Sequence, residues 1–135
     1  MSRLTLFLAR LIGLFTVLLI AALLLHGSAM VETAIADKPL MFTYAIISLA
    51  LGLAMILAHN VWSGGALPMA VTLVGWLIFA KGLLLLFLTR EALTQRFERM
   101  QYGEHMYLYV APSLVIGLYL TWAGFTAPIQ RGLTK

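Results

Sequence analysis

The residues best placed to do chemistry in this chain are a lysine and the polar knot that precedes it. Lys81 lies in an apolar stretch from about Met69 to Thr89 and carries the one formal charge there. It follows Met69 by twelve residues and precedes Thr89 by eight. On a helix rising 1.5 Å per residue it therefore sits about 18 Å from one end and about 12 Å from the other. A central lysine in a bilayer costs roughly 2.5 to 3.5 kcal/mol on insertion scales, so something must offset it. Either the ammonium points at polar groups or water inside a helix bundle, or desolvation leaves the lysine neutral. Ser48, Ser113 and Thr16 are the expected intramembrane partners, with the lysine facing the protein interior. All five acids (Glu32, Asp37, Glu91, Glu98 and Glu104) fall outside the apolar stretches. No ion pair within the subunit is then expected, and a carboxylate-based proton- or cation-coupled exchanger has nothing to work with. A lone cation suits an anionic or electron-rich ligand, or an acid on a partner subunit. The plainer alternative is a lysine satisfied by backbone carbonyls and hydroxyls.

The knot is His59-Asn60-Val61-Trp62-Ser63-Gly64-Gly65. Asn60 can cap a helix end, Trp62 can anchor at lipid headgroups, and the glycines permit a sharp antiparallel return. A functional alternative places His59, Asn60 and Trp62 at the mouth of a cavity floored by Lys81, which makes these four the candidate binding residues. The remaining histidines, His26 and His105, fall on the opposite face of an alternating bundle from His59, so three-histidine metal ligation is awkward. His26 and His105 could pair as axial haem ligands, but no CxxCH motif or regular spacing accompanies them. We expect no metal and no cofactor. No Ser-His-acid grouping and no Gly-rich phosphate loop is present, so no catalytic residue is expected either.

The elements that must hold these residues follow from composition. Of 135 residues, 62% are hydrophobic and 10% charged, with mean hydropathy +0.98. An ordinary soluble domain is about half apolar and about a quarter charged. Such a chain cannot cover a water-facing surface. There is no cysteine, which excludes disulfides and thiolate chemistry.

A bilayer core about 30 Å thick needs roughly 20 apolar residues as helix. Four runs meet that length: about Leu4 to Leu25, Leu40 to Ala58, Met69 to Thr89 and Met106 to Phe125. Asp37-Lys38-Pro39 precedes the second, and Pro68 falls near the first turn of the third, where its missing N–H costs little. Tyr107 and Tyr109 at one end of the fourth, and Tyr119 and Trp122 at the other, have the character of interfacial belts. A signal peptide competes for the first run, since Ala34-Ile35-Ala36 forms an A-x-A site. That site lies far beyond the apolar run, and an uncleaved span is expected. Between the third and fourth runs, Leu93, Phe97 and Met100 recur at i, i+4 and i+7, predicting a short amphipathic helix that stops near Gly103. The expected fold is all-α: one integral membrane domain over residues 1–135, an antiparallel bundle of four transmembrane helices.

Orientation is nearly undetermined by charge. Setting Lys81 aside, the other eight of nine basic residues divide four and four. Arg3, Arg10, Arg131 and Lys135 fall on one side; Lys38, Arg90, Arg96 and Arg99 fall on the other. The purely basic flank of the first helix favours cytoplasmic termini, with dual topology the alternative. A net charge of +4 then implies anionic headgroups rather than nucleic acid. Helix packing is expected through Ala50, Ala54 and Ala58 on the second span and Thr72, Gly75 and Gly82 on the third, because small residues let helices approach closely in lipid.

The order His59-Asn60-x-Trp62, Thr72-x-x-Gly75-Trp76, Lys81-Gly82 resembles small four-helix bacterial inner-membrane proteins of uncharacterised function. That resemblance implies the bacterial inner membrane and brings no activity with it. In size and span number the chain is also similar to the small multidrug-resistance transporters, whose first helix carries an embedded glutamate; residues 4 to 25 here contain no acid. The expected role is non-enzymatic, as a homo-oligomer or an accessory subunit of a membrane complex. The alternative is a small transporter or channel for an anionic or amphiphilic solute that uses Lys81.

Overall fold

The structure, a computed structural model, describes residues 2–99 and 102–128; the side chains of residues 28, 35, 90, 93, 97, 102–104, 106 and 109 are outside the description. The described residues form six helices: α1 (Arg3–His26), α2 (Ser28–Ala36), α3 (Lys38–Ala58), α4 (Ala66–Phe87), α5 (Arg90–Arg99) and α6 (Tyr102–Thr126). Among them α1, α3 and α4 are long and apolar enough to cross a membrane.

Local chemistry sets the boundaries. The Ser2 hydroxyl caps α1 by accepting the Thr5 N–H at 3.1 Å. Helix α1 ends at Gly27, whose φ of 72° lies in the left-handed region that glycine enters without cost. Asp37 caps α3 by accepting the Leu40 N–H at 3.1 Å, with proline in the first turn. Thr89 accepts the Ala92 N–H at 3.3 Å and so opens α5. Within α6, His105 departs from helical geometry (φ −114°, ψ 24°), and Pro112 removes one N–H from the ladder further on.

Helix α2 adds to the four expected runs: its nine residues, with a glutamate among them, fall below the roughly 20 that a span needs. The short helix between the third and fourth runs is present as α5. Of its expected apolar stripe, Met100 and the side chains of Leu93 and Phe97 lie outside the described residues, as do the Tyr109 side chain and the terminal charges Arg131 and Lys135. The expected stop near Gly103 borders residues 100–101, which lie outside the described residues; the departure from helical geometry falls two residues beyond it, at His105. Tyr107 and Trp122 are exposed, at opposite ends of α6.

Two antiparallel pairs, α1 with α6 and α3 with α4, make most of the packing, and α1 and α6 both touch α4. The α3–α4 seam is a backbone contact. A Cβ added at Gly82 would meet the Leu49 nitrogen at 2.6 Å, one at Gly52 would collide with the Phe79 backbone, and Gly75 lies against Met55. In the α1–α6 seam, a Cβ on Gly13 would meet the Thr121 nitrogen at 2.6 Å, while Gly117 abuts Thr16 and Gly124 abuts Ala9 and Arg10. Thr72, Gly75 and Gly82 are buried as expected. The expectation for the second span is wrong in phase: Ala50, Ala54 and Ala58 are exposed, and Ala45, Ser48, Gly52 and Met55 are buried. At about 100° per residue, Ala50 and Ala54 lie roughly 200° from Gly52. Glycine permits closer approach than alanine, and its face took the partner.

The main core joins Leu6, Ala9 and Ile12 of α1, Met55 of α3, Leu67 and Val71 of α4, and Leu120 and Ala123 of α6. It therefore sits at the end of the bundle marked by the start of α1 and the end of α3. The other end holds a smaller cluster of Ile20 and Val110 between α1 and α6.

Candidate functional site

The α3–α4 register is fixed by Leu49 opposite Gly82, Gly52 opposite Phe79 and Met55 opposite Gly75. Opposed residue numbers sum to about 131, so α4 is staggered along α3. Its first two turns extend past the end of α3, and residues 59–65 fold back beside them. Gly64 and Gly65 make that return with φ of 89° and 118°.

Thr72 ties the return down. Its hydroxyl accepts the Val61 N–H at 3.0 Å and has the Val61 and Pro68 carbonyls at 2.9 and 3.0 Å to receive its single proton. His59 is 3% exposed. Its Nδ1 lies 3.2 Å from Thr72 Oγ1 and its Nε2 lies 2.8 Å from Thr5 Oγ1 on α1. Thr5 Oγ1 in turn lies 2.6 Å from Ser2 Oγ. One proton placement, assigned from this pattern, fills every bond: Ser2 hydroxyl to Thr5, Thr5 hydroxyl to Nε2, Nδ1–H to Thr72, and Thr72 hydroxyl to a carbonyl. The imidazole is thus a cross-link between α1, the end of α3 and the start of α4. Asn60 and Trp62 stand outside it. The Trp62 Nε1–H donates to Asn60 Oδ1 at 2.8 Å, and the indole is 53% exposed.

Lys81 is elsewhere. Nine residues, about 13 Å along α4, separate it from Thr72. Among the described residues, the structure does not bring Lys81 together with His59, Asn60 and Trp62 as the expected cavity requires. Lys81 is exposed on the outer surface, not turned into the bundle. None of the expected partners holds it: Ser48 is buried, Ser113 is exposed, and Thr16 packs on Gly117. The ammonium instead donates to the Tyr44 hydroxyl at 2.8 Å and lies 4.8 Å from the centre of the same ring.

The register relates the two backbones. The Lys81 backbone is level with Ala50 of α3, and the Tyr44 backbone lies six residues, about 9 Å, closer to the Lys38 end, so the two side chains meet across that interval. Tyr44 is itself level with Phe87, the last residue of α4. The lysine therefore meets its partner on the outside of the α3–α4 pair, with the phenol supplying the polar contact that an ammonium on an apolar surface needs. At the same end, Lys38 shares an open cleft with Glu91, Thr94, Gln95 and Glu98.

Three contributors escaped the sequence reading. Tyr44 was one residue among an apolar run, and Thr5 was not linked to His59 because 54 residues separate them. Arg10 was counted as a flanking charge. It lies seven residues inside α1, where its Nε–H donates to the Gly124 carbonyl at 2.7 Å and its guanidinium carbon sits 4.9 Å from the centre of the Phe125 ring. That carbonyl belongs to the last turn of α6, which has no helical donor left to offer, so Arg10 acts as a cap. The signal was present: a basic residue inside an apolar run needs a partner there.

Among the described residues, no group of three or more His, Cys, Asp or Glu is arranged to hold a metal ion. No protein-family model, curated protein or solved structure matches the chain.

Proposed function

We propose that the chain is a four-span integral membrane protein, a single domain over residues 1–135, that works by assembly rather than catalysis. It acts as a homo-oligomer or as an accessory subunit of a membrane complex, in the bacterial inner membrane by its resemblance to small proteins there. Helix α6 is the fourth span: residues 106–126 rise about 31 Å, enough for a hydrocarbon core, and run antiparallel along α1.

The observation that carries the reading is how the polar groups are spent. Among the described residues, no buried side-chain nitrogen or oxygen lacks a hydrogen-bond partner. Thr5, His59, Thr72 and Arg10 lock helices to one another, which leaves the outer surface for recognition. That surface is large, since only 22% to 28% of the residues in the most apolar windows of α1, α3 and α4 are buried within the chain. The exposed Ala50, Ala54 and Ala58 face of α3 supports close approach by another helix, where van der Waals contact drives association in lipid. Lys81 on the outside favours assembly over transport through the bundle.

Native mass spectrometry from lipid nanodiscs tests this. A defined oligomer, or a co-purifying membrane subunit, is the expected result. A strict monomer with no protein partner would remove the assembly reading.

A further inference from the structure

Lys81 and Tyr44 share an open hydrogen-bonding capacity. The ammonium has three protons and gives one to Tyr44; the phenol oxygen accepts that bond, so its own proton is free to be donated outward. The cation–ring contact holds the two groups together on an exposed surface. All five acids of the chain lie outside the apolar runs, so the chain brings no carboxylate into the spans to neutralise this charge.

The surface toward the membrane centre from this pair is apolar and exposed. Tyr44, Ile47 and Leu51 recur at i, i+3 and i+7 on one face of α3, and Leu77 lies one turn before Lys81 on α4. Two donors and a positive charge on an exposed surface, continuous with an apolar track, match a phospholipid's phosphate and acyl chain. From this juxtaposition we propose that Lys81 and Tyr44 bind the phosphate of an anionic phospholipid, with an acyl chain lying along Ile47, Leu51 and Leu77. The ammonium and the phenol O–H both donate to phosphate oxygens. An anionic headgroup is preferred over a zwitterionic one because choline carries its own competing cation. The inference rests on the membrane reading above, and on no particular oligomeric state.

The test is native mass spectrometry of the full chain released from detergent micelles. It is titrated in turn with phosphatidylglycerol, with phosphatidylcholine of the same chains, and with inorganic phosphate. The wild type is expected to hold phosphatidylglycerol about fivefold more tightly than Lys81→Met, the change that one basic residue near an anionic surface provides. Tyr44→Phe weakens it less, Lys81→Arg retains it, and phosphatidylcholine binding stays level across the series. Helical circular dichroism of each variant controls for folding. Equal phosphatidylglycerol retention by wild type and Lys81→Met would overturn the proposal. So would inorganic phosphate binding with the same variant dependence, which would make the ligand a free anion. Loss of a co-purifying protein in Lys81→Met, with lipid binding unchanged, would overturn it in favour of a partner's acid. Failure of the chain to partition into membranes would instead remove the membrane reading itself.

Discussion

Replacing Gly82 by alanine is the sharpest probe of the packing, because two effects of opposite sign compete. Taken alone, glycine to alanine inside a helix stabilises by up to about 1 kcal/mol. Here the added Cβ would stand 2.6 Å from the Leu49 nitrogen, 2.8 Å from its Cα and 3.1 Å from its Cβ. Two of those three atoms are backbone and cannot rotate away. Restoring ordinary contact near 3.5 Å requires α3 and α4 to part by about 1 Å, and a gap of that size forfeits a quarter to a half of each dispersion contact it opens. Overpacking of this kind costs about 1 to 3 kcal/mol, so the net expectation is destabilisation by about 1 to 2 kcal/mol. Reversible unfolding in mixed micelles, followed by circular dichroism, measures it. Leu118→Met on the exposed face of α6 is the control and is expected to change stability by less than about 0.5 kcal/mol. A Gly82→Ala protein as stable as wild type, or more so, would refute the backbone-contact seam.

Other outcomes follow from the polar network and the helix ends. His59→Ala removes bonds to Thr5 and Thr72 while both hydroxyls keep other partners, so a loss of about 2 kcal/mol is expected in the same unfolding assay. An unchanged midpoint would contradict the cross-link. Arg10→Met uncovers the Gly124 carbonyl; hydrogen exchange in the last turn of α6 should accelerate while α3 and α4 stay protected, and uniform protection would count against the capping role. Gly27→Ala meets no neighbouring side chain or helix but must adopt φ 72° with ψ −173°, a region essentially confined to glycine, so it should cost about 1 to 3 kcal/mol through backbone strain alone. Lys81→Met should leave thermal stability level or raised, since it removes an exposed cation held by one phenol; a pronounced fall would assign the lysine a structural role.

The sequence made the α-helical class and the three long apolar helices legible because length, composition and polar punctuation act locally. Asp37-Lys38-Pro39, His59-Asn60 and Gly64-Gly65 marked their boundaries within two or three residues. The site was less legible, because hydrogen bonds across 54 residues depend on how helices are staggered. Lys81 illustrates this best. Counting along its own helix gave its position along the span, but only the stagger of α3 against α4 shows that Tyr44 is within its reach. The Ala50, Ala54 and Ala58 misassignment has a related cause: a small-residue repeat says that close packing is possible, while the choice between two faces belongs to the partner helix. Helix α2 went unseen because the search was for lengths that span a bilayer.

The four-span arrangement is tested most directly by cysteine accessibility, for which a chain without cysteines is a clean background. Single variants Ser2→Cys, Glu32→Cys, Ser63→Cys and Glu98→Cys would be probed with a membrane-impermeant maleimide, on intact cells and on inverted vesicles. Ser63 serves as the loop site, since Gly64 and Gly65 beside it have a positive φ that a cysteine would strain. Ser2 and Ser63 should react from one side only, and Glu32 and Glu98 from the other. Labelling of Ser2→Cys and Glu32→Cys from the same side would contradict α1 as a span and, with it, the four-span protein.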